Sequence, residues 1–130
     1  MLKLALPKGS LEEQTLLLFK TAGLEVKKEF RAYSPKIRDL RIDQVKILRP
    51  QEIPKYVEEG YFDAGISGLD WIVESNADVV EVADLPISKT SMGAVRIVVA
   101  VPESSQVNSP VDIKPNSRVT TEFPNITKQY

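Results

Sequence analysis

The sequence of 130 residues contains no cysteine and no histidine, and these two absences narrow the chemistry open to it. Without cysteine, disulfides, thiolate metal sites and a cysteine nucleophile are excluded. Without histidine, histidine-based catalytic triads, histidine general bases and nearly every zinc site are excluded as well. Catalysis by this chain would therefore depend on carboxylates, lysine and arginine, hydroxyls, backbone amides and Mg²⁺. Phosphorylated substrates suit that set of groups.

A strong charge of one sign and long apolar runs are also lacking. The chain has 17 Lys+Arg and 18 Asp+Glu, which gives a formal net charge of -1 and argues against a protein that binds nucleic acid through a basic surface. The apolar runs at residues 16–19 and 97–101 are too short to span a membrane, and Pro7 interrupts the apolar start. We therefore expect a cytoplasmic chain of one ordinary domain's length, with neither a nucleic-acid nor a membrane partner.

Hydrophobic periodicity and helix-end signals predict strands that alternate with helices. Strands are predicted over residues 2–6, 45–48, 63–66 (buried), 79–85, 94–101 and 119–121. Helices are predicted over residues 11–22, 51–59 and 68–74, with one turn at Ser109 and Pro110 and a last helix from Pro124 onward. Residues 24–44 indicate only a turn at Ser34 and Pro35 in a short hairpin. This alternation predicts an α/β fold with a largely parallel sheet.

The ends of the first and third helices carry recognisable signals. Ser10 and Ser67 are each followed three residues later by an acidic residue, which predicts two capping boxes. Gly23 is predicted as the left-handed residue that ends the first helix. The aromatic residues Phe62 and Trp71 are assigned to the core. Arg96 lies inside an apolar run, so it is predicted to be paired or to face a cleft.

Three junctions between a strand and the next helix, at residues 7–10, 66–69 and 120–122, share hydroxyls and free amides. The carboxyl ends of parallel strands meet at one edge of a sheet, where ligands bind, and helix N-termini attract anions. Lys8 and Arg49 add positive charge just past two strand ends. These features predict a nucleotide or phosphate cleft. The alternative is that the hydroxyls and glycines only cap and turn the chain, and that Arg49 is a solvated surface residue.

Three segments resemble the N-terminal part of the ATP phosphoribosyltransferase family. In order they read LALPKGSLEEQTLLLFKTAGL, LRPQEIPKYVEEGYFDAGISGLDWI and VTTEFPNITKQY. The most specific motif is R-P-x-[ED]-I-P at residues 49–54, followed by G-x-x-D-x-G-I-[ST]-G at residues 60–68. The resemblance implies a glycosyltransferase that joins ATP to phosphoribosyl pyrophosphate, giving phosphoribosyl-ATP and pyrophosphate, in the first step of histidine biosynthesis. It also implies Mg²⁺ bound with the phosphorylated substrates.

The resemblance implies a two-lobed α/β fold of the type II periplasmic-binding-protein kind, with the active site between the lobes. Residues 1–85 would form the first lobe, and residues 86–130 would begin a second lobe that is incomplete in this chain. The nucleotide side would comprise Lys8, Gly9, Ser10, Arg49, Gly68 and Asp70. The second lobe's side of the cleft would comprise Ser91, Gly93, Thr120, Thr121 and Glu122. Asp70 and Glu122 are the candidates for the carboxylate that assists proton loss from the attacking nitrogen, and no residue is assigned as a metal ligand.

The chain departs from the family's pattern at two places. Many members have Gly-Arg in the first loop, where this chain has Gly9 and Ser10, so a direct arginine contact to the nucleotide phosphates is missing there. The D-x-x-x-T-G-x-T-type loop for phosphoribosyl pyrophosphate is absent. We therefore expect the natural protein to be longer and the 130-residue piece alone to be inactive.

The expected assembly is a homo-oligomer, with a regulatory subunit if the protein is of the family's short form. The alternative function is that of a two-lobed ligand-sensing or solute-binding domain without catalysis, and a non-catalytic remnant is a third possibility. Binding of an adenine nucleotide would favour the transferase. Selective binding of an amino acid or an oxyanion would favour the sensing domain.

Overall fold

Five strands and four helices are formed by the residues that the structure, a computed structural model, describes: 1–27, 33–85, 87 and 96–130. In chain order they are β1 (Leu2–Pro7), α1 (Glu12–Thr21), β2 (Val26–Lys27), β3 (Lys36–Ile37), β4 (Ile42–Leu48), α2 (Ile53–Glu58), β5 (Ala64–Gly65), α3 (Leu69–Ser75) and α4 (Pro124–Gln129). Single 3₁₀ turns lie at Gly9–Leu11 and Pro110–Asp112.

A parallel sheet in the order β4-β1-β5 forms the centre of the fold. In the register of β1, Leu4 lies opposite Val45 on one side and Ala64 on the other, and Pro7 lies opposite Leu48. The helices that connect these strands cover the sheet, as parallel connections require. The prediction of an α/β fold with a parallel sheet is confirmed.

The core lies on both faces of this sheet because successive residues of β1 point to opposite sides. Leu6 packs with Val45 and Ile47 on the face that α1 covers through Leu16 and Phe19. The other face holds a second cluster, formed by Ala5, Ile53 and Phe62 with part of α2. The assignment of Phe62 to the core is confirmed. Trp71 is only half-buried, so its assignment to the core is wrong.

The helix predictions, and most of the strand predictions in the first 75 residues, are confirmed. The four helices form where they were predicted, and Gly23 has the left-handed φ of 76° just beyond the end of α1. The antiparallel pair β2 and β3 accounts for the predicted hairpin around Ser34 and Pro35. β4 begins at Ile42, three residues earlier than predicted, because it pairs with the whole length of β1.

The two predicted capping boxes are wrong. Lys8 is the N-cap of the first 3₁₀ turn and Gly68 is the N-cap of α3, and neither helix start has a side-chain cap bond. The Ser67 hydroxyl instead donates to the Pro50 carbonyl oxygen at 2.8 Å. Near the first junction, the Glu12 carboxylate accepts the Gly9 N–H at 3.4 Å. A local carboxylate therefore satisfies the amide at the first junction, whereas a tertiary neighbour binds the hydroxyl at the other.

Corrections to the strand predictions

The strands predicted over residues 79–85 and 119–121 are wrong, and no strand forms among residues 96–101, the described part of 94–101. Val80 and Val82 are 85% and 92% exposed, respectively. β-forming residues make a strand only against a neighbouring strand and a packed face, and the described residues provide neither here. The strand predicted over residues 63–66 is reduced to Ala64 and Gly65, and both residues are exposed rather than buried. In the described ranges β5 is an edge strand beside β1, so its other edge is open to solvent.

Arg96 also differs from its prediction. Its side chain is exposed rather than buried within a strand. Water can therefore solvate the guanidinium, and burial does not force it to find a partner or a cleft.

Among the helices of the described ranges, none combines the length and the apolar character that a membrane-spanning segment needs.

Candidate functional site

The candidate site begins where β1 and β4 end side by side. The Lys8 N–H donates to the Leu48 carbonyl oxygen at 2.7 Å, one step beyond the pair formed by Pro7 and Leu48. Because the two strands are parallel, Lys8 and Arg49 leave the sheet at the same edge. Both side chains are exposed, and they place two positive charges at that edge.

An open, shallow cavity of about 410 Å³ lies at this edge. Its lining residues are Lys8, Gly9, Ser10, Arg49, Pro50, Gln51 and Trp71. Four of the six residues predicted for the nucleotide side therefore come together in one cavity. Sequence reasoning missed Pro50, Gln51 and Trp71. For Pro50 and Gln51, their place in the motif directly after Arg49 was an available signal.

Lys8 is held at the mouth of the cavity by Tyr33. The Lys8 Nζ donates to the Tyr33 hydroxyl at 3.0 Å and lies 4.6 Å from the centroid of the ring. A cation over an aromatic ring is attracted by the negative face of the ring. The backbone carbonyl oxygen of Tyr33 also accepts the N–H of Ile47, which fixes Tyr33 beside β4. No local pattern indicates this contact, because the two side chains are 25 residues apart.

Arg49 has no ion-pair partner among the described residues. Its side chain is exposed, so its charge is available to a ligand in the cavity. The chain turns away directly after it, because Pro50 cannot continue the ladder of β4. The Ser67 hydroxyl bound to the Pro50 carbonyl oxygen holds this exit in place. The position of Arg49 is therefore fixed by the end of β4 on one side and by the bond between Ser67 and Pro50 on the other.

Gly9 allows the backbone to turn at this edge. Its φ is +80°, in the region that side chains other than glycine rarely adopt, and a Cβ built there would meet nothing within 4 Å. The backbone turn from β1 into the first 3₁₀ turn therefore requires glycine, while the space beside it stays open to the cavity. The positive φ of Gly9 supports its predicted role as a turn residue. Gly9 also lines the cavity, where its backbone is open to a ligand.

Gly68 and Asp70 lie at the start of α3, next to the wall of the cavity but not in its lining. Gly68 is the N-cap of the helix. The Asp70 Oδ1 accepts the backbone N–H of Trp71 at 2.9 Å. Asp70 thus holds the first turn of the helix that carries Trp71, and its role as a proton acceptor stays a prediction.

The residues predicted for the opposite side of the cleft precede α4. Thr120, Thr121 and Glu122 are exposed and do not line the described cavity. The Thr121 Oγ1 accepts the N–H of Phe123 at 2.9 Å. The Phe123 ring stacks on Trp71 with 4.4 Å between ring centroids and an interplanar angle of 26°. Ser91 and Gly93 lie outside the described residues.

The chemistry of the cavity favours an anion. Its lining contains two cations, a hydroxyl and no carboxylate. In the described part of the chain, no group of three or more acidic residues could hold a metal ion.

The fold and the cavity together define an α/β domain with a cationic cleft at the carboxyl edge of its parallel strands. The profile of the ATP phosphoribosyltransferase family (HisG) matches residues 49–130 of the chain. The chain belongs to this family, which confirms the resemblance that the three sequence segments indicated.

Relatives named ATP phosphoribosyltransferase align with nearly the whole chain. The protein of Desulforudis audaxviator is 49% identical over 129 residues, which cover 99% of this chain and 44% of that relative. The protein of Chlorobaculum parvum is 51% identical over 129 residues, which cover 99% of this chain and 43% of that relative. The chain thus spans less than half the length of these curated relatives.

A solved structure resembles the fold. It is that of an ATP phosphoribosyl transferase (HisG:HisZ) complex from Thermotoga maritima, and it superposes with a TM-score of 0.56 at 30% identity. The superposition covers 66% of this chain and 41% of that chain. The likeness supports the α/β class, and the division into two lobes stays a prediction.

Proposed function

We propose that the protein transfers the phosphoribosyl group from phosphoribosyl pyrophosphate to ATP, the first step of histidine biosynthesis, and that this chain supplies the nucleotide side of the active site. The observation that carries the proposal is the pair Lys8 and Arg49 at adjacent strand ends of one cavity. It occurs in a chain about half identical to proteins named for this reaction.

The chemistry of the proposed reaction suits these residues. Displacement of pyrophosphate builds positive charge on the ribose carbon and negative charge on the leaving group, and fixed cations stabilise such charge without a histidine. We assign Lys8 and Arg49 to the phosphates of the nucleotide, with the exposed hydroxyl of Ser10 as a further donor. Arg49 can present a forked pair of N–H donors, whereas Lys8 acts as a point charge.

Asp70 and Glu122 remain our candidates for the carboxylate that accepts the proton from the attacking nitrogen of the adenine. Asp70 is the better supported of the two, because it precedes Trp71 of the cavity wall and hydrogen-bonds its N–H. Mg²⁺ would supply charge neutralisation on the leaving group. We place it on the substrates' phosphates, since no described acidic cluster would hold it.

We further propose the two-lobed arrangement, with residues 1–85 in the first lobe and residues 86–130 at the start of the second. Ser91, Gly93, Thr120, Thr121 and Glu122 would then face the nucleotide side across the cleft. We propose a cytoplasmic homo-oligomer, with a regulatory subunit if the protein is of the short form. The Thermotoga maritima structure, a complex of two differently named proteins, supports such a subunit within the family.

The test is an assay of the natural gene product with ATP, phosphoribosyl pyrophosphate and Mg²⁺, in which mass spectrometry follows phosphoribosyl-ATP and pyrophosphate. We expect both products in equal amounts, and none from residues 1–130 alone, which lack the phosphoribosyl-pyrophosphate loop. Selective binding of an amino acid or an oxyanion, without binding of ATP and without product, would refute the transferase and favour the sensing domain.

A further inference from the structure

A buried carboxylate that the proposed reaction does not use binds the start of α4 to α3. Glu74 is only 7% exposed, and its two carboxylate oxygens accept the backbone N–H groups of Asn125 and Ile126, each at 2.9 Å. The side-chain amide of Asn125 donates to the Glu74 carbonyl oxygen at 2.8 Å. These partners are 51 and 52 residues apart, so the contact is tertiary.

The hydrogen bonds account for the burial of this charge. The first N–H groups of a helix have no partner within the helix, and the positive end of the helix dipole lies there. One carboxylate satisfies two of these donors in α4, and in return the donors offset the cost of removing Glu74 from water. The same hydrogen bonds attach the start of α4 to the end of α3.

A stacked aromatic pair extends the contact to the wall of the cleft. Trp71 precedes Glu74 by three residues, and residues three apart lie on the same side of a helix. The Trp71 ring stacks on Phe123, the residue before α4, with the ring centroids 4.4 Å apart. Trp71 also lines the cavity with Lys8 and Arg49.

We propose that Glu74 and Phe123 are positioning residues that hold Trp71 as a fixed wall of the nucleotide cleft. The hydrogen bonds of Glu74 to Asn125 and Ile126, together with the Trp71–Phe123 stack, form what we call the α3–α4 clamp. The effect of the clamp on nucleotide affinity rests on the proposed function, whereas its effect on Trp71 does not. Because the clamp joins residues of the two proposed lobes, docking of α4 sets the shape of the cleft.

The test compares the natural gene product with its Glu74→Gln variant. Glutamine keeps the shape of the side chain but turns one acceptor oxygen into a donor, which then faces a backbone N–H. Hydrogen exchange followed by mass spectrometry reports on residues 123–130, and acrylamide quenching of fluorescence reports on Trp71. The Trp71 signal is isolated by subtraction of a Trp71→Phe variant.

We expect exchange at Asn125 and Ile126 to be about tenfold faster in Glu74→Gln, because local opening governs the protection of amides. We also expect acrylamide to quench Trp71 more strongly and ATP affinity to fall about fivefold, the lower end of typical coupling between sites. Exchange in β1 and β4 should not change, which separates loss of the clamp from general destabilisation. The matched control is Glu103→Gln, an exposed glutamate outside the cavity lining and the clamp, which should leave all four measurements unchanged.

Faster exchange at residues 125–126 with unchanged quenching of Trp71 would overturn the proposal, and so would unchanged exchange. If Glu74→Gln does not fold, Phe123→Leu tests the clamp from its other side, since it removes the ring stack and should increase quenching in the same way. If both variants fold, their effects on quenching should be less than additive, because both act through one contact. If the parent protein binds no ATP, the proposed function is refuted, while the quenching result still decides the clamp.

Discussion

Replacement of Arg49 by alanine is the most direct test of the cationic edge. The Arg49 side chain is exposed, lines the cavity and has no ion-pair partner among the described residues. If it binds the phosphates of the nucleotide, Arg49→Ala loses a charge-assisted hydrogen bond of about 1.5–3 kcal/mol. That loss corresponds to an ATP affinity about ten- to a hundredfold weaker. Arg49→Lys should recover part of it, because a point charge lacks the forked geometry.

The stability of the fold should hardly change in Arg49→Ala. A surface substitution that breaks no described contact changes the free energy of unfolding by less than about 0.5 kcal/mol. Arg41 provides a matched control, since it precedes the other end of β4, roughly 25 Å away at about 3.3 Å per residue. Arg41→Ala removes the same charge and should leave ATP affinity unchanged.

The assay is calorimetric titration of each variant with ATP and with adenosine, alongside unfolding in urea. Adenosine has no phosphates, so its affinity should be the same in Arg49→Ala and in the parent protein. An equal loss for ATP and adenosine would show that Arg49 shapes the cavity and does not bind phosphate. Unchanged ATP affinity with a large loss of stability would show that Arg49 is a structural residue, and the reasoning from the strand ends would be refuted.

Two further predictions concern stability and titration. The Thr15 hydroxyl is buried and has no hydrogen-bond partner in the described parts of the chain. Thr15→Val should therefore raise the free energy of unfolding in urea by about 1 kcal/mol. A loss of stability would show that the hydroxyl has a partner. The hydrogen bond from the Arg41 side chain lowers the pKa of Asp39 from 3.8 to about 2. The stabilisation from this contact is therefore present above about pH 4 and is lost as the pH falls to about 2. An NMR titration should find the midpoint near 2 and its return toward 3.8 in Arg41→Ala, whereas the same midpoint in both proteins would contradict the pairing.

Local sequence signals predicted the elements that depend on local interactions. Alternation identified β1, and the apolar run before Arg49 identified the end of β4. Gly23 ended α1 as predicted because a left-handed residue is needed there whatever surrounds it. Helix signals that depend on a free side chain were less reliable, since the Ser67 hydroxyl binds the carbonyl of Pro50, 17 residues away.

The strands predicted after residue 76 do not form among the described residues, and no local pattern could have indicated this. A β-forming run such as residues 96–101 becomes a strand only when another strand lies beside it. The described residues provide no such neighbour, and Val98 remains 63% exposed. Strand propensity in this region therefore did not predict strand formation.

The sequence by itself determined the α/β class, the parallel sheet and the placement of Lys8 and Arg49 at the same edge of that sheet. It could do so because the carboxyl ends of parallel strands coincide once the order of elements is known. Only the tertiary structure decided that Tyr33 holds Lys8, that Trp71 walls the cavity, and that Glu74 docks α4. The contacts of Tyr33 with Lys8 and of Glu74 with Ile126 join residues 25 and 52 positions apart, and all three arrangements depend on how the elements pack in three dimensions.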